Sequence, residues 1–156
     1  MKLIVACDIN GGIGYKNKLP WSKIEGDLPR FKQLTMNKIV IMGRNTWESL
    51  PKKPLPNRIN YIVTSNPLSL PYQIGHEKIY GISNLNILRY LNNDACIIGG
   101  AKLIENAWDY ITEIHLSKTF VSYECDAFID LNHINTNYKL YSTQKLSDHD
   151  YLIFKK

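Results

Sequence analysis

The chain reads as an α/β protein: a single domain spanning residues 1–156, with a mostly parallel eight-stranded sheet, flanking helices and a C-terminal antiparallel hairpin. Three observations predict this class. Short apolar runs recur at 2–7, 38–42, 59–64, 77–80, 95–98, 111–117, 138–145 and 150–155. Helical patterns fall among the first six, at 25–36, 44–50, 84–92 and 101–108, and strands alternating with helices form parallel βαβ units. The last two runs have no helix between them; Ser147-Asp148-His149-Asp150 joins them, which reads as an antiparallel hairpin.

Taken in order, the first run is Leu3-Ile4-Val5-Ala6-Cys7. One basic residue precedes it and Asp8 ends it at once, so it is a buried strand rather than a signal-peptide core. Asn10-Gly11-Gly12-Ile13-Gly14 follows. No helix opens behind these glycines, so they are no dinucleotide fingerprint. The loop runs on to Pro20-Trp21, a segment able to close over a ligand and expel water.

In the helix at 25–36, positions 27, 28, 31, 34 and 35 share one face. That face carries Leu28, Phe31 and Leu34, with Asp27 at its head. An acid turned toward an apolar interior is costly unless paired, which makes it a functional candidate. On periodicity alone, a helix N-terminal Asp that favours the macrodipole is the plainer account.

The strand Ile39-Val40-Ile41-Met42-Gly43 leads into Arg44-Asn45-Thr46. Backbone N–H groups at a helix start attract phosphate, and Arg44 and Thr46 add side-chain donors; a tight turn with a surface Arg is the alternative. Pro54-Leu55-Pro56-Asn57 stiffens the chain before Arg58, whose guanidinium can then be held for a bidentate carboxylate contact. The next strand ends at Thr64-Ser65, and Ala95-Cys96-Ile97-Ile98 ends at Gly99-Gly100, where backbone can approach a ligand closely. Ligands of such sheets bind beyond the carboxyl ends of the strands, where Asp8, Gly43, Thr64 and Gly99 all fall.

Composition narrows the function. No apolar stretch approaches the ~20 residues a membrane span needs. Cys7, Cys96 and Cys125 are odd in number and far apart, and two sit in apolar runs, which suggests free thiols in a reducing cytoplasm. His76, His115, His133 and His149 show no metal-ligand spacing, and no metal is expected. P-loop and nucleophile-elbow motifs are missing, against a P-loop NTPase or an α/β-hydrolase. The net charge of +5 and pI near 9.0 suit an anionic ligand, but the basic residues are scattered, which speaks against a nucleic-acid groove.

Four blocks, in order, carry a family resemblance: Leu19-Pro20-Trp21 followed by Asp27 and Phe31-Lys32; Ile39 to Leu50; Pro54-Leu55-Pro56-Asn57-Arg58; and Ile97-Ile98-Gly99-Gly100-Ala101. Together they resemble dihydrofolate reductase, most closely its single-domain microbial and phage type. The resemblance runs from the first strand to the end of the chain. It implies NADPH-dependent reduction of 7,8-dihydrofolate to tetrahydrofolate, serving one-carbon and thymidylate metabolism, in a cytoplasmic, monomeric enzyme open to antifolate inhibitors.

The residue roles it implies are these. Asp27 pairs with the pterin's amino-pyrimidine edge, and Trp21 lies near the acid. Ile4, Ala6, Leu28, Phe31, Lys32, Leu50, Lys53, Leu55, Arg58, Ile98 and Ser117 bind substrate. Arg58 takes the α-carboxylate of the glutamate tail, assisted by Lys32 and Lys53; Ser117 bonds both the acid and the pterin. Ala6, Ile13, Gly14, Asn17, Lys18 and Leu19 face the cofactor. So do Gly43, Arg44, Asn45, Thr46, Thr64 and Ser65, and the run Ile98, Gly99, Gly100, Ala101, Lys102, Leu103 and Ile104. Asp126 influences loop closure, and the Gly99–Gly100 peptide is cis. Asn45 and Ile104 depart from the family's usual residues. The rivals are a pyrimidinone reductase of riboflavin synthesis, which needs no Trp-then-Asp helix head, and a non-catalytic binding or phage structural protein.

Overall fold

The computed structural model describes residues 1–70, 78–91 and 93–156. Among the described residues the strands are β1 (Lys2–Cys7), β2 (Gly12–Gly14), β3 (Ile39–Gly43), β4 (Ile59–Val63), β5 (Ile79–Ile82), β6 (Cys96–Gly99), β7 (Glu113–Thr119), β8 (Ala127–Phe128), β9 (Lys139–Lys145) and β10 (His149–Lys155). The α-helices are α1 (Asp27–Thr35), α2 (Arg44–Ser49), α3 (Ala101–Ala107) and α4 (Leu131–Asn137). Eight strands form one sheet in the order β5-β4-β3-β6-β1-β7-β10-β9, and β2 pairs with β8 apart from it. The pairs from β5 through β7 are parallel; β10 runs antiparallel to both β7 and β9. The fold class read from the sequence is the one observed.

The central strands are apolar because both faces are covered. Val40, Ile41 and Met42 of β3 and Cys96 and Ile97 of β6 are fully buried. Alternate residues feed two cores. Leu3, Ile41 and Ile97 pack with Leu103, Ile104 and Ala107 of α3 and Ile134 of α4. Ile4, Val40, Met42 and Cys96 pack on the other face with Trp47 of α2 and with Phe31 and Leu34 of α1. The edge strand β9 is exposed along its whole length, and its terminal lysines, Lys139 and Lys145, discourage pairing with another sheet.

Several expectations shift. α1 starts at Asp27, not at 25, because Gly26 takes a left-handed φ of 79° and stops the helix from reaching back. The anticipated buried face of α1 is only partly buried: Thr35 is its one fully buried residue, and Leu28 is 69% exposed. The segment expected to be helical at 84–92 is a 3-10 helix at Leu85–Tyr90, with the Asn84 side chain accepting from the Asn86 N–H; residue 92 lies outside the described residues. The strand expected at 77–80 runs instead over Ile79–Ile82, with residue 77 outside the described residues, as is His76. Neither α4 nor the β2–β8 pair was apparent from apolar periodicity. α4 is announced by a polar cap, Asp130 Oδ1 accepting from the His133 N–H at 2.8 Å.

One carboxylate organises the loops at the end of β1. Asp8 is 1% exposed and accepts N–H bonds from Gly12 at 2.8 Å and from Asn10 and Tyr123, both at 2.9 Å. Burial by itself would raise the Asp8 carboxyl; the N–H groups of Tyr123, Gly12 and Asn10 outweigh it and hold the carboxyl below the ordinary carboxylate value. A depressed folded-state value means stabilisation that is complete above the unfolded value and lost as pH falls through the folded one. Asp8→Asn should therefore cost about 1–3 kcal/mol at neutral pH. Its deficit relative to the natural chain should shrink in strong acid, as read from thermal unfolding at the two pH values. An unchanged deficit in acid would contradict this account.

Candidate active site

The cleft lies at the carboxyl end of the sheet. α1 carries Asp27 as its first residue, and β7 brings Ser117 to it: Ser117 Oγ donates to Asp27 Oδ1 at 2.6 Å. Ser117 is buried and the Asp27 side chain is 22% exposed, so the acid is sheltered but open on one side. Behind the pair, Arg30 Nη1 donates to Ser117 Oγ at 3.1 Å and stands 4.0 Å from Asp27 Oδ1. Leu28 stands exposed beside the acid in the sequence, while Ile4, Phe31, Leu50, Leu55 and Ile98 belong to one apolar cluster, all but Ile4 only partly buried. Ala6, also on β1, is half-buried.

At the far end of α1, Arg58 is 5% exposed, with Nε donating to the Pro56 carbonyl at 2.8 Å and Nη1 to Thr35 Oγ1 at 2.9 Å. Burial lowers its affinity for its proton, yet a guanidinium remains charged at neutral pH. Asn60, which sequence reasoning passed over, secures the loop before it by bonding the Leu55 N–H and the carbonyls of Leu55 and Arg58. A lone Asn inside the otherwise apolar run Ile59-Asn60-Tyr61-Ile62-Val63 was the available signal, and the structure buries it fully. Lys32 is exposed on α1, while Lys53 turns toward Glu48, 3.3 Å from its carbonyl and 3.7 Å from Oε2.

The other half of the cleft is glycine-rich. The starts of α2 and α3 come together behind β3 and β6, strands that pair directly. A methyl built on Gly100 would sit 3.3 Å from Thr46 Oγ1, one on Gly99 3.5 Å from it, and one on Gly43 3.7 Å from the Gly100 nitrogen. Side chains at these glycines would therefore fill the shelf between two helix starts, which suits a phosphate approaching the backbone. The Gly99–Gly100 peptide is cis. Arg44 borders the shelf, its Nε on Glu48 Oε1 and its Nη1 on Ser69 Oγ, both at 2.7 Å. Asn45 is exposed at the start of α2. Thr64 lies beside β5, its N–H on the Ile82 carbonyl at 2.9 Å, and Ser65 is exposed. An open surface depression of about 380 Å³ lies past the end of β5, lined by Ile82, Ser83 and Tyr90 among others, five strands from Ser117 and so away from the acid. Within α3, Ala101 and Lys102 are accessible, whereas the Leu103 and Ile104 side chains are buried in the core, so only their backbone faces the shelf side of the helix start.

The loop between β1 and α1 closes the picture. Ile13 and Gly14 are half-buried, Asn17 and Lys18 exposed, and Leu19 is 61% exposed. Asp126 grips this loop, accepting from the Lys16 N–H at 3.0 Å, and its own N–H donates to the Gly14 carbonyl at 2.9 Å. Trp21 is buried and packs edge-on against Tyr123 at 5.7 Å. Among the described residues no group of His, Cys, Asp or Glu is arranged to hold a metal ion, and no helix is long and apolar enough to cross a membrane.

A sheltered acid and a pair of glycine-flanked helix starts thus lie at the carboxyl end of one doubly covered sheet, which is where α/β sheets bind their ligands. The dihydrofolate reductase family model matches residues 1–153, and the chain belongs to that family. It is 42% identical over 141 residues to a dihydrofolate reductase of Buchnera aphidicola, covering 90% of this chain and 81% of that one. It is 36% identical to a type 8 dihydrofolate reductase of Escherichia coli, covering 98% of this chain and 94% of that one. A bifunctional dihydrofolate reductase-thymidylate synthase of Paramecium tetraurelia is 36% identical over 86% of this chain, which spans 29% of the length of that protein. Among solved structures, dihydrofolate reductase from Enterococcus faecalis, complexed with NADP(H) and RAB-propyl, superimposes with a TM-score of 0.81. It is 27% identical, and the match covers 99% of this chain and 94% of that one.

Gly99 has a φ of 128°, in the region that side chains avoid, and lies against Thr46. Gly99→Ala should lower the melting temperature, at a cost of about 1–2 kcal/mol. The same change should weaken NADPH binding in a fluorescence titration more than it weakens binding of a pteridine.

Proposed function

We propose that residues 1–156 act as one domain that reduces 7,8-dihydrofolate to tetrahydrofolate with NADPH, in support of one-carbon and thymidylate metabolism. The observation that carries this reading is the 2.6 Å bond from Ser117 Oγ to Asp27 Oδ1 at the mouth of the cleft, which holds a carboxylate where a flat ligand's N–H edge can meet it. NADPH, when bound, supplies the hydride. Gly43, Arg44, Thr46, Thr64, Ser65 and Gly99 through Lys102 would hold it, and the fit of bare glycine backbone to phosphate supports that assignment. Asn45 contributes an exposed amide and no charge.

The remaining work belongs to the protein. Asp27 orients the amino-pyrimidine edge, and Ser117 keeps its carboxylate in one rotamer. Ile4, Ala6, Leu28, Phe31, Leu50, Leu55 and Ile98 supply the apolar walls. Arg58 receives the glutamate tail's α-carboxylate, with Lys32 nearby; the engagement of Lys53 with Glu48 makes its help secondary. Ile13, Gly14, Asn17, Lys18 and Leu19 close over the nicotinamide end and exclude water, Asp126 setting the loop's position. Trp21 shelters an ordered water that delivers the pterin's proton, so Asp27 polarises and aligns rather than transferring directly. Alignment of donor and acceptor accounts for much of the acceleration.

Asp27→Asn keeps the shape and removes the charge. It should lower turnover at neutral pH by about a hundredfold while leaving NADPH affinity unchanged, in a spectrophotometric assay at the NADPH absorbance band. Full turnover in this variant would remove Asp27 from the mechanism. NADPH should also be preferred over NADH, and Arg44→Gln should erode that preference by about tenfold through loss of one charge-assisted phosphate contact. Equal specificity constants for the two cofactors in the natural chain would refute the assignment of the 2′-phosphate to Arg44.

A further inference from the structure

Among the described residues Arg30 is the one cation paired with the catalytic-site acid, and nothing in the mechanism above uses it. It lies at i+3 from Asp27 on α1, with 18% of its side chain exposed. Four contacts hold it. Nη1 donates to Ser117 Oγ at 3.1 Å and lies 3.2 Å from His149 Nε2. The guanidinium carbon sits 4.1 Å above the Tyr151 ring, and Nη1 stands 4.0 Å from Asp27 Oδ1. A guanidinium can only donate, so His149 Nε2 accepts and the ring carries its proton on Nδ1, toward Asp148 Oδ1 at 2.7 Å. His149 is fully buried, and Asp148 in turn accepts from the Glu25 N–H at 3.0 Å, so the support behind Arg30 is itself tied down at both ends. Tyr151 is bonded to His115, which is bonded to Glu113. A long cationic side chain with this many fixed partners is not a solvated surface group.

Two consequences follow for the acid. The Ser117 hydroxyl has one proton, and accepting from Arg30 directs that proton to Asp27. The carboxylate also sits beside a fixed positive charge, so the pair presents little net charge to a ligand.

We propose that Arg30 is a specificity-determining residue that suits the Asp27 site to a neutral amino-pyrimidine edge and disfavours a ligand that binds as a cation. A neutral edge needs only hydrogen bonds from its N–H groups to the carboxylate, which Arg30 leaves in place. A ligand that enters as a cation gains its advantage from an uncompensated carboxylate, and here that charge is already answered; it also meets Arg30 as a like charge. The inference rests on the reading of Asp27 as the pterin-edge acceptor, and it adds which form of ligand that acceptor favours.

The test compares two probes on the holo protein with saturating NADPH: dihydrofolate, and a benzyl-substituted diaminopyrimidine at a pH below its own pKa. Arg30→Gln and Arg30→Met both remove the charge, the first keeping a donor and the second keeping apolar contact with Tyr151; Arg30→Lys keeps the charge. In the neutral variants the diaminopyrimidine should bind tighter by on the order of tenfold while the KM for dihydrofolate moves by less than about threefold. Arg30→Lys should keep the natural ratio of the two affinities. A merely structural Arg30 would weaken both probes in parallel, and that result, or an unchanged ratio in whichever neutral variant folds, overturns the proposal. A natural chain that binds neither probe overturns the underlying reading of the site instead.

Discussion

The rest of the structure depends on the burial of β1, β3 and β6 on both faces. A parallel strand covered on two sides has no room for charge along its length, so polar chemistry is driven to its ends. The carboxyl ends collect Asp8, Gly43, Gly99 and, on β7, Ser117. The two cores differ in what they serve. The α3–α4 face is closed packing. The α1–α2 face has a partly exposed margin, where Phe31, Leu50, Leu55 and Ile98 pack against the core without being fully buried.

Around that frame the charged groups are fixed by local hydrogen bonds more than by distant charges. Asp8 is held by three N–H groups, Asp27 by a hydroxyl, Arg58 by a carbonyl and Thr35, and Arg44 by Glu48 and Ser69. Each side chain is therefore held in one orientation, with little rotamer freedom left to lose.

The sheet was legible in the sequence because central parallel strands must be continuous apolar runs, and the hairpin because its strands lacked a helix between them. The glycine shelf and Asp27 were legible as motifs. What escaped notice were elements that use hydrogen bonds in place of apolar periodicity. α4 reads Leu131-Asn132-His133-Ile134-Asn135-Thr136-Asn137, a polar helix with one fully buried side chain, and only its Asp130 cap marks its start. The β2–β8 pair is too short to show a period. The burial expected for Leu28 failed because helical spacing shows which residues share a face, not whether protein covers it. Arg30 was readable as an i+3 partner of Asp27, but its neighbours His149 and Tyr151 come from the far end of the chain, where no local pattern can reach.

α1 also sets a length. Its first residue, Asp27, faces one end of the cleft; its last, Thr35, accepts from Arg58, and Thr35 Oγ1 in turn donates to the Phe31 carbonyl at 2.8 Å. Asp27 and Thr35, the residue that Arg58 grips, thus stand at opposite ends of one rigid rod whose eight rises set them about 12 Å apart along its axis. A ligand meeting both must span that rod, and one that is shorter has to choose an end. The helix is a gauge: it sets, in whole turns of backbone, how far the Asp27 end lies from the end that Arg58 grips.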